Sequence, residues 1–274
     1  MTEALSIMLW PSLACLLLPG VLVYFGLHIV RREIIFVDLA LAQVAALGIC
    51  LAILLGHDSH DWQTLAWSGA FTLGGAALLA MTRAAGRRVP QEALIGILYV
   101  VAAAAGLLLL SRSPEGNEEL RKTLVGEVLL VKPSEVLGTC GLFAALGALL
   151  FVFRRPMLQL TLAPAEARAA GVRLWLWDFV FYLLFGIAVT SFVRIGGVLL
   201  IFSYLIIPAV CAQLLAVSLR AQLFAGWGIA TLASIAGLYG SFRLDLPTGA
   251  AIVCTLGLSL AVCLACVWRR SPVA

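Results

Sequence analysis

Residues 36–56 read "FVDLALAQVAALGICLAILLG". The stretch is long and apolar enough to cross a bilayer as a helix, yet it carries Asp38 and Gln43. A carboxylate at the centre of a membrane helix costs roughly 2.5–3.5 kcal/mol to insert, so it ordinarily faces a partner or a water-filled path. Read as a membrane span, this segment decides the fold class and raises the question of what its two polar side chains do.

Composition agrees along the whole chain. Of its 274 residues, 63% are hydrophobic and 12% charged, and the mean hydropathy is +1.08. A soluble domain of this size has no use for so much apolar surface, so we expect a single transmembrane domain, residues 1–274, and no soluble module. The net charge of +4 reflects the loops flanking the spans and gives no ground for nucleic-acid binding. All seven cysteines, Cys15, Cys50, Cys140, Cys211, Cys254, Cys263 and Cys266, fall in apolar runs. They read as small buried hydrophobes, without a disulfide framework or a clustered metal site. The first apolar run continues too far for a cleavable signal peptide and ends in "RRE".

Hydropathy predicts an all-α, polytopic membrane helix bundle of about nine spans. They lie near 6–30, 34–56, 64–82, 93–111, 136–153, 174–194, 196–218, 222–241 and 248–268. Eight is the alternative count, because the sixth and seventh are closely spaced. Twelve of the 18 basic residues fall in alternate connections, at Arg31, Arg32, Arg83, Arg87, Arg88, Arg154, Arg155, Arg168, Arg173, Arg220, Arg269 and Arg270. The positive-inside bias puts that side in the cytoplasm, with the N-terminus outside and the C-terminus cytoplasmic. Trp10, Trp62 and Trp67 then sit near the outer interface and Trp175, Trp177 and Trp268 near the inner one, as interfacial anchors do.

Two connections exceed a simple turn. The outer one, 112–135, has an apolar centre, "TLVGEVLLV", too short to span, so it is either interfacial or re-entrant. The inner one, 154–173, contains "APAEARAAGV", with a Pro start, an Ala/Glu/Arg body and a Gly stop. That pattern describes a short helix on the cytoplasmic face, either a docking surface or an ordinary connection. Asp178, soon after it, reads as an interface residue. In the outer loop "GHDSHDW", His57, Asp58, His60 and Asp61 offer imidazole and carboxylate donors to a divalent ion, although solvation of an exposed loop explains them too.

Six stretches in sequence resemble one family, the permease subunits of ATP-binding-cassette importers for zinc, manganese and iron. "VRREIIFVDLALAQVAALG" resembles its second span, "LIGILY" its fourth, and "LVGEVLLVKPSEVL" its outer connection. "LTLAPAEARAAGV" is similar to its cytoplasmic coupling loop, and "GGVLLIFSYLIIPAVCAQLL" and "RLDLPTGAAIVC" to its last third. The resemblance implies the fold of a type II importer and a homodimer forming the pathway in the cytoplasmic (inner) membrane. It also implies a separate ATPase subunit below and an extracytoplasmic metal-binding protein above. Zinc is the expected cargo, with manganese or iron as alternatives. The chain itself is expected to bind no cofactor, ATP belonging to the partner, and it contains no G-x-x-x-x-G-K-[ST] phosphate loop. The resemblance assigns Pro164, Ala165, Glu166, Ala167 and Gly171 to the region that docks in the ATPase.

The chain departs from that family where the opening stretch is concerned. Many relatives carry an Asp and a His four residues apart in the second span, on one helix face. Aligned through "ALAQVAALG", Gln43 takes the His position, Leu39 the Asp position, and Asp38 falls one residue early. Five residues at 3.6 per turn place Asp38 and Gln43 about 140° apart around the helix. Two readings of Asp38 stay open, an ion pair with Arg31, Arg32 or a neighbouring helix, and a charged group lining the inner pathway. Gln43 either lines the path or bonds another helix. Ser203, Tyr204 and Pro208 complete the pathway candidates, Pro208 because it kinks a helix and releases carbonyls. Uptake of a chelated metal or another small solute is a second transporter reading, and a scaffold that moves nothing a third. An intramembrane enzyme is disfavoured, because no H-E-x-x-H pair occurs and the three histidines are scattered.

Overall fold

The computed structural model describes residues 2–57, 61–85, 89–111 and 133–270. Among them there is no strand, and ten helices follow one another: α1 (Thr2–Arg32), α2 (Val37–Leu54), α3 (Trp62–Ala85), α4 (Gln91–Leu110), α5 (Pro133–Val152), α6 (Arg154–Leu162), α7 (Pro164–Ala169), α8 (Leu174–Leu215), α9 (Leu219–Leu244) and α10 (Thr248–Arg270). Helix throughout is what an apolar surrounding demands, since each backbone N–H and C=O must find its partner within the segment.

Eight stretches of the described residues are long and apolar enough to cross a membrane, and a bent pair, Val136–Val152 with Arg154–Leu162, adds a ninth if it counts as one span. The sixth and seventh predicted spans are both present, as Leu174–Val193 and Ile195–Leu215 within α8. The helix is interrupted at Gly197, near the start of the second, where φ is 72° and ψ 163°. That backbone conformation is open to glycine and essentially closed to residues with a Cβ.

The described residues fall into two compact units. The first is drawn from 1–30, 122–147 and 192–274, the second from 31–121 and 148–191. In the first unit α9 packs along α10, and Cys15, Leu18, Leu22, Phe25, Tyr204, Leu205 and Ile252 are buried. Trp227 Nε1 donates to the Leu16 carbonyl at 2.9 Å and ties α9 to α1. In the second unit α2 lies along both α3 and α4, over a core that includes Leu41, Ala76, Leu79, Ile95, Phe181 and Phe185. Gln91 Nε2 donates to Tyr182 Oη at 2.9 Å, fixing the start of α4 to α8.

Outward faces stay apolar: Val100, Leu108, Phe224 and Leu232 are all exposed, as suits helices solvated by acyl chains. The cysteines correct one expectation. Cys15, Cys50, Cys211 and Cys263 are buried, but Cys140 is only half-buried and Cys254 and Cys266 are exposed. α10 turns the last two outward, where an apolar solvent accepts a thiol as readily as a protein core does.

Candidate translocation and coupling site

α2 begins without a side-chain cap of its own, because its N-cap residue is Phe36. The missing acceptor comes from α4: Glu92 Oε1 takes the Phe36 N–H at 3.0 Å. A carboxylate is well placed there, facing the positive end of the α2 dipole. Asp38 occupies the first turn of the same helix and is 3% exposed. Its Oδ1 has no hydrogen-bond partner among the described residues, nor has Glu92 Oε2. Two carboxylates thus lie at the beginning of α2, Asp38 in its first turn and Glu92 reaching Phe36 from α4, each with one oxygen that has no hydrogen-bond partner among the described residues. Arg32, one of the partners considered for Asp38, pairs with Asp178. Gln43 is half-buried on α2, around the helix from Asp38 and not beside it.

Glu92 escaped the sequence reading because an acid at the edge of a span looks like an ordinary solvated flank.

In the first unit, Ser203 Oγ donates to the Leu199 carbonyl at 2.8 Å, one turn back along α8. Tyr204 is fully buried. Ser234 Oγ gives its hydrogen to the Ala230 carbonyl, so the 2.7 Å contact between Tyr204 Oη and Ser234 Oγ is donated by the tyrosine. That bond joins α8 to α9. Pro208 lies four residues on within α8 and has no N–H, which leaves the Tyr204 carbonyl without its helical donor. Sequence reasoning placed Pro208 for this reason and missed the Tyr204–Ser234 bond, which no local pattern announces.

The outer-loop donors are only partly visible. His57 follows α2 and its N–H bonds the Ala52 carbonyl at 3.1 Å; Asp61 is exposed just before α3. Asp58 and His60 lie outside the described residues, as do 112–132 of the outer connection. Among the described residues no group of three or more His, Cys, Asp or Glu is placed to hold a metal. A cleft of about 380 Å³ on the second unit, lined by Val44, Leu47, Phe71, Leu78, Leu98 and Val101 among others, offers only apolar side chains and no ligand for an ion.

The inner connection folds as two short helices. α7 starts at Pro164, as predicted, and ends in a turn where Gly171 takes φ 78° while Val172 N–H bonds the Ala167 carbonyl at 3.0 Å. This is the glycine stop read from the sequence. Pro164, Ala165, Glu166, Arg168 and Gly171 are exposed and only Ala167 is buried. The preceding helix α6 was not foreseen, although Pro156 in its first turn is tolerated and marks a helix start. Met157 and Leu160 seal its inner face. Asp178 corrects another expectation: it is 1% exposed, so it cannot be the interface residue that its position suggested.

The profile of the ABC 3 transport family matches residues 4–267. A manganese transport system membrane protein MntC of Halalkalibacterium halodurans is 27% identical over 229 residues, covering 83% of this chain and 76% of that protein. A probable iron transport system membrane protein of Haemophilus influenzae is 26% identical over 253 residues, 92% of this chain and 88% of the other. Among solved structures, the fold is similar to a chain of PsaBC from Streptococcus pneumoniae in complex with Fab, with a TM-score of 0.78, 21% identity, and coverage of 96% and 93%. With its helices, their order and the profile match over nearly the whole length, this chain belongs to the ABC 3 transport family.

Proposed function

We propose that this chain is the membrane permease subunit of an ATP-binding-cassette importer for divalent metal ions, with manganese as the favoured cargo. The family match over residues 4–267 carries the reading. Relatives named for manganese and iron transport support a metal, and they move the preference from zinc to manganese. The chemistry of the chain points the same way. Where the resemblance led us to expect imidazole there is Gln43, and the acidic groups at the start of the same helix are the carboxylates of Asp38 and Glu92. Oxygen donors suit manganese, whereas zinc is favoured by imidazole and thiolate.

The rest of the assembly belongs to the same proposal: two copies forming the path, an ATPase subunit docked on 164–171, an extracytoplasmic metal-binding protein, and an N-terminus outside the cytoplasmic membrane. Asp38 and Gln43 provide weak polar passage, so selection of the ion falls to the binding protein. The test is uptake by vesicles holding the full chain with its ATPase and binding protein. Radiolabelled Mn²⁺ is expected to enter only with ATP inside reach of the ATPase. Entry of a chelate in place of free Mn²⁺, Fe²⁺ or Zn²⁺ would replace this reading with the small-solute one, and no ATP-dependent uptake of either would leave the scaffold.

A further inference from the structure

Arg32, in the second unit, is a point where the end of α1 meets α6 and the beginning of α8. It stands in the last turn of α1, and its guanidinium is used in three directions. Nε donates to Thr161 Oγ1 of α6 at 2.9 Å. Nη1 donates to Asp178 Oδ1 of α8 at 3.2 Å. Cζ lies 4.1 Å from the centre of the Phe181 ring, three residues further along α8.

The ion pair is buried and Thr161 is half-buried. The side chains of Arg32 and Asp178 are 4% and 2% exposed. Thr161 is itself fixed, its hydroxyl donating to the Met157 carbonyl at 3.0 Å, while Met157 and Leu160 are fully buried. Beyond Thr161 only Leu162 and Ala163 separate this joint from the exposed α7. A guanidinium holds its donors in one rigid plane. When α6 shifts, Arg32 must either follow it or surrender the Thr161 bond, at the cost of a charge-assisted hydrogen bond.

We propose that Arg32 is the positioning residue through which movement of the 154–169 segment reaches the membrane helices. Displacement of α7 passes through α6 and Thr161 to the guanidinium, and from there to the ends of α1 and α8. The proposal rests on the ATPase docking role given above to residues 164–171. Arg32 touches neither nucleotide nor metal in this scheme; it sets how much of the motor's stroke is delivered. An ion pair that merely holds the fold together would alter stability and leave the delivery unchanged.

Thr161→Val and Arg32→Lys separate the two. The valine variant removes one arm of the joint and keeps the ion pair; the lysine variant keeps the charge and loses the planar fork. Each is compared with the wild-type chain in reconstituted complexes with the ATPase subunit, measuring ATP hydrolysis, Mn²⁺ uptake and thermal unfolding. We expect both variants to hold the ATPase and to hydrolyse ATP within about twofold of wild type, while Mn²⁺ taken up per ATP falls about fivefold or more, the size of an ordinary coupling free energy. An unchanged ratio in folded Thr161→Val overturns the joint. So does a fall in uptake that only tracks loss of folded complex. A wild-type chain that captures no ATPase overturns the docking role and this proposal together, which distinguishes that failure from the others.

Discussion

Arg32 Nη1 lies 3.2 Å from Asp178 Oδ1, with both side chains almost wholly buried. The pair explains how a carboxylate can sit inside the first turns of a membrane-crossing helix, since a buried charge persists when a partner and hydrogen bonds compensate it. Removing one member leaves the other uncompensated. Asp178→Asn should therefore lower stability by about 3–5 kcal/mol, read as a depressed unfolding temperature in detergent. The double variant Arg32→Met, Asp178→Leu should recover most of that loss, because two packed apolar groups leave no orphaned charge. A double variant no more stable than Asp178→Asn would show that the attraction matters less than the packing of the arginine.

Asp38 presents the opposite case, a buried carboxylate whose Oδ1 has no hydrogen-bond partner among the described residues. Asp38→Asn keeps the shape and removes the charge, and Gln43→Leu removes the amide. If about 1.4 kcal/mol of ion stabilisation is lost along the path, uptake of Mn²⁺ falls about tenfold. Wild-type uptake in both variants would remove these residues from the path.

Much of this was legible in the sequence, and the parts that were not share a cause. Apolar runs announced the spans, and the Pro164 start and Gly171 stop announced α7, because each is a local signal. The ambiguity between the sixth and seventh spans came from a single glycine, Gly197, whose role depends on a backbone angle. Asp178 and Glu92 were misjudged or missed because their meaning lies in partners 146 and 56 residues away. An acid near the end of a span looks the same in the sequence whether it is solvated, caps a neighbouring helix or pairs with an arginine.

Tyr204 offers a milder test. Its hydroxyl donates to Ser234 Oγ at 2.7 Å, while Ser234 satisfies its own hydrogen on the Ala230 carbonyl. Tyr204→Phe removes the buried bond to Ser234 and the hydroxyl's contact with the Cys15 thiol, at a cost of roughly 0.5–1.5 kcal/mol for each hydrogen bond lost. Uptake separates the two possible uses of the residue. Unfolding slightly earlier with unchanged uptake marks Tyr204 as a tie between α8 and α9, whereas a large loss of uptake at near-normal stability marks it as part of the path.

Gly26 and the Leu205 carbonyl bring α1 and α8 into close approach in the first unit: a Cβ built on Gly26 would collide with that carbonyl oxygen. Backbone atoms on both sides leave no flexible side chain to give way. Gly26→Ala must therefore push two buried helices apart, and overpacking of this kind costs about 1–3 kcal/mol. Gly228, on α9, is the control, because a Cβ there meets nothing within 4 Å. At an unobstructed helical site, Ala in place of Gly is favourable by roughly 0.5–1 kcal/mol. The same substitution should thus shift the unfolding temperature down at residue 26 and up at residue 228. Equal shifts at the two positions would mean that α1 and α8 are held apart in the membrane, with space between Gly26 and Leu205.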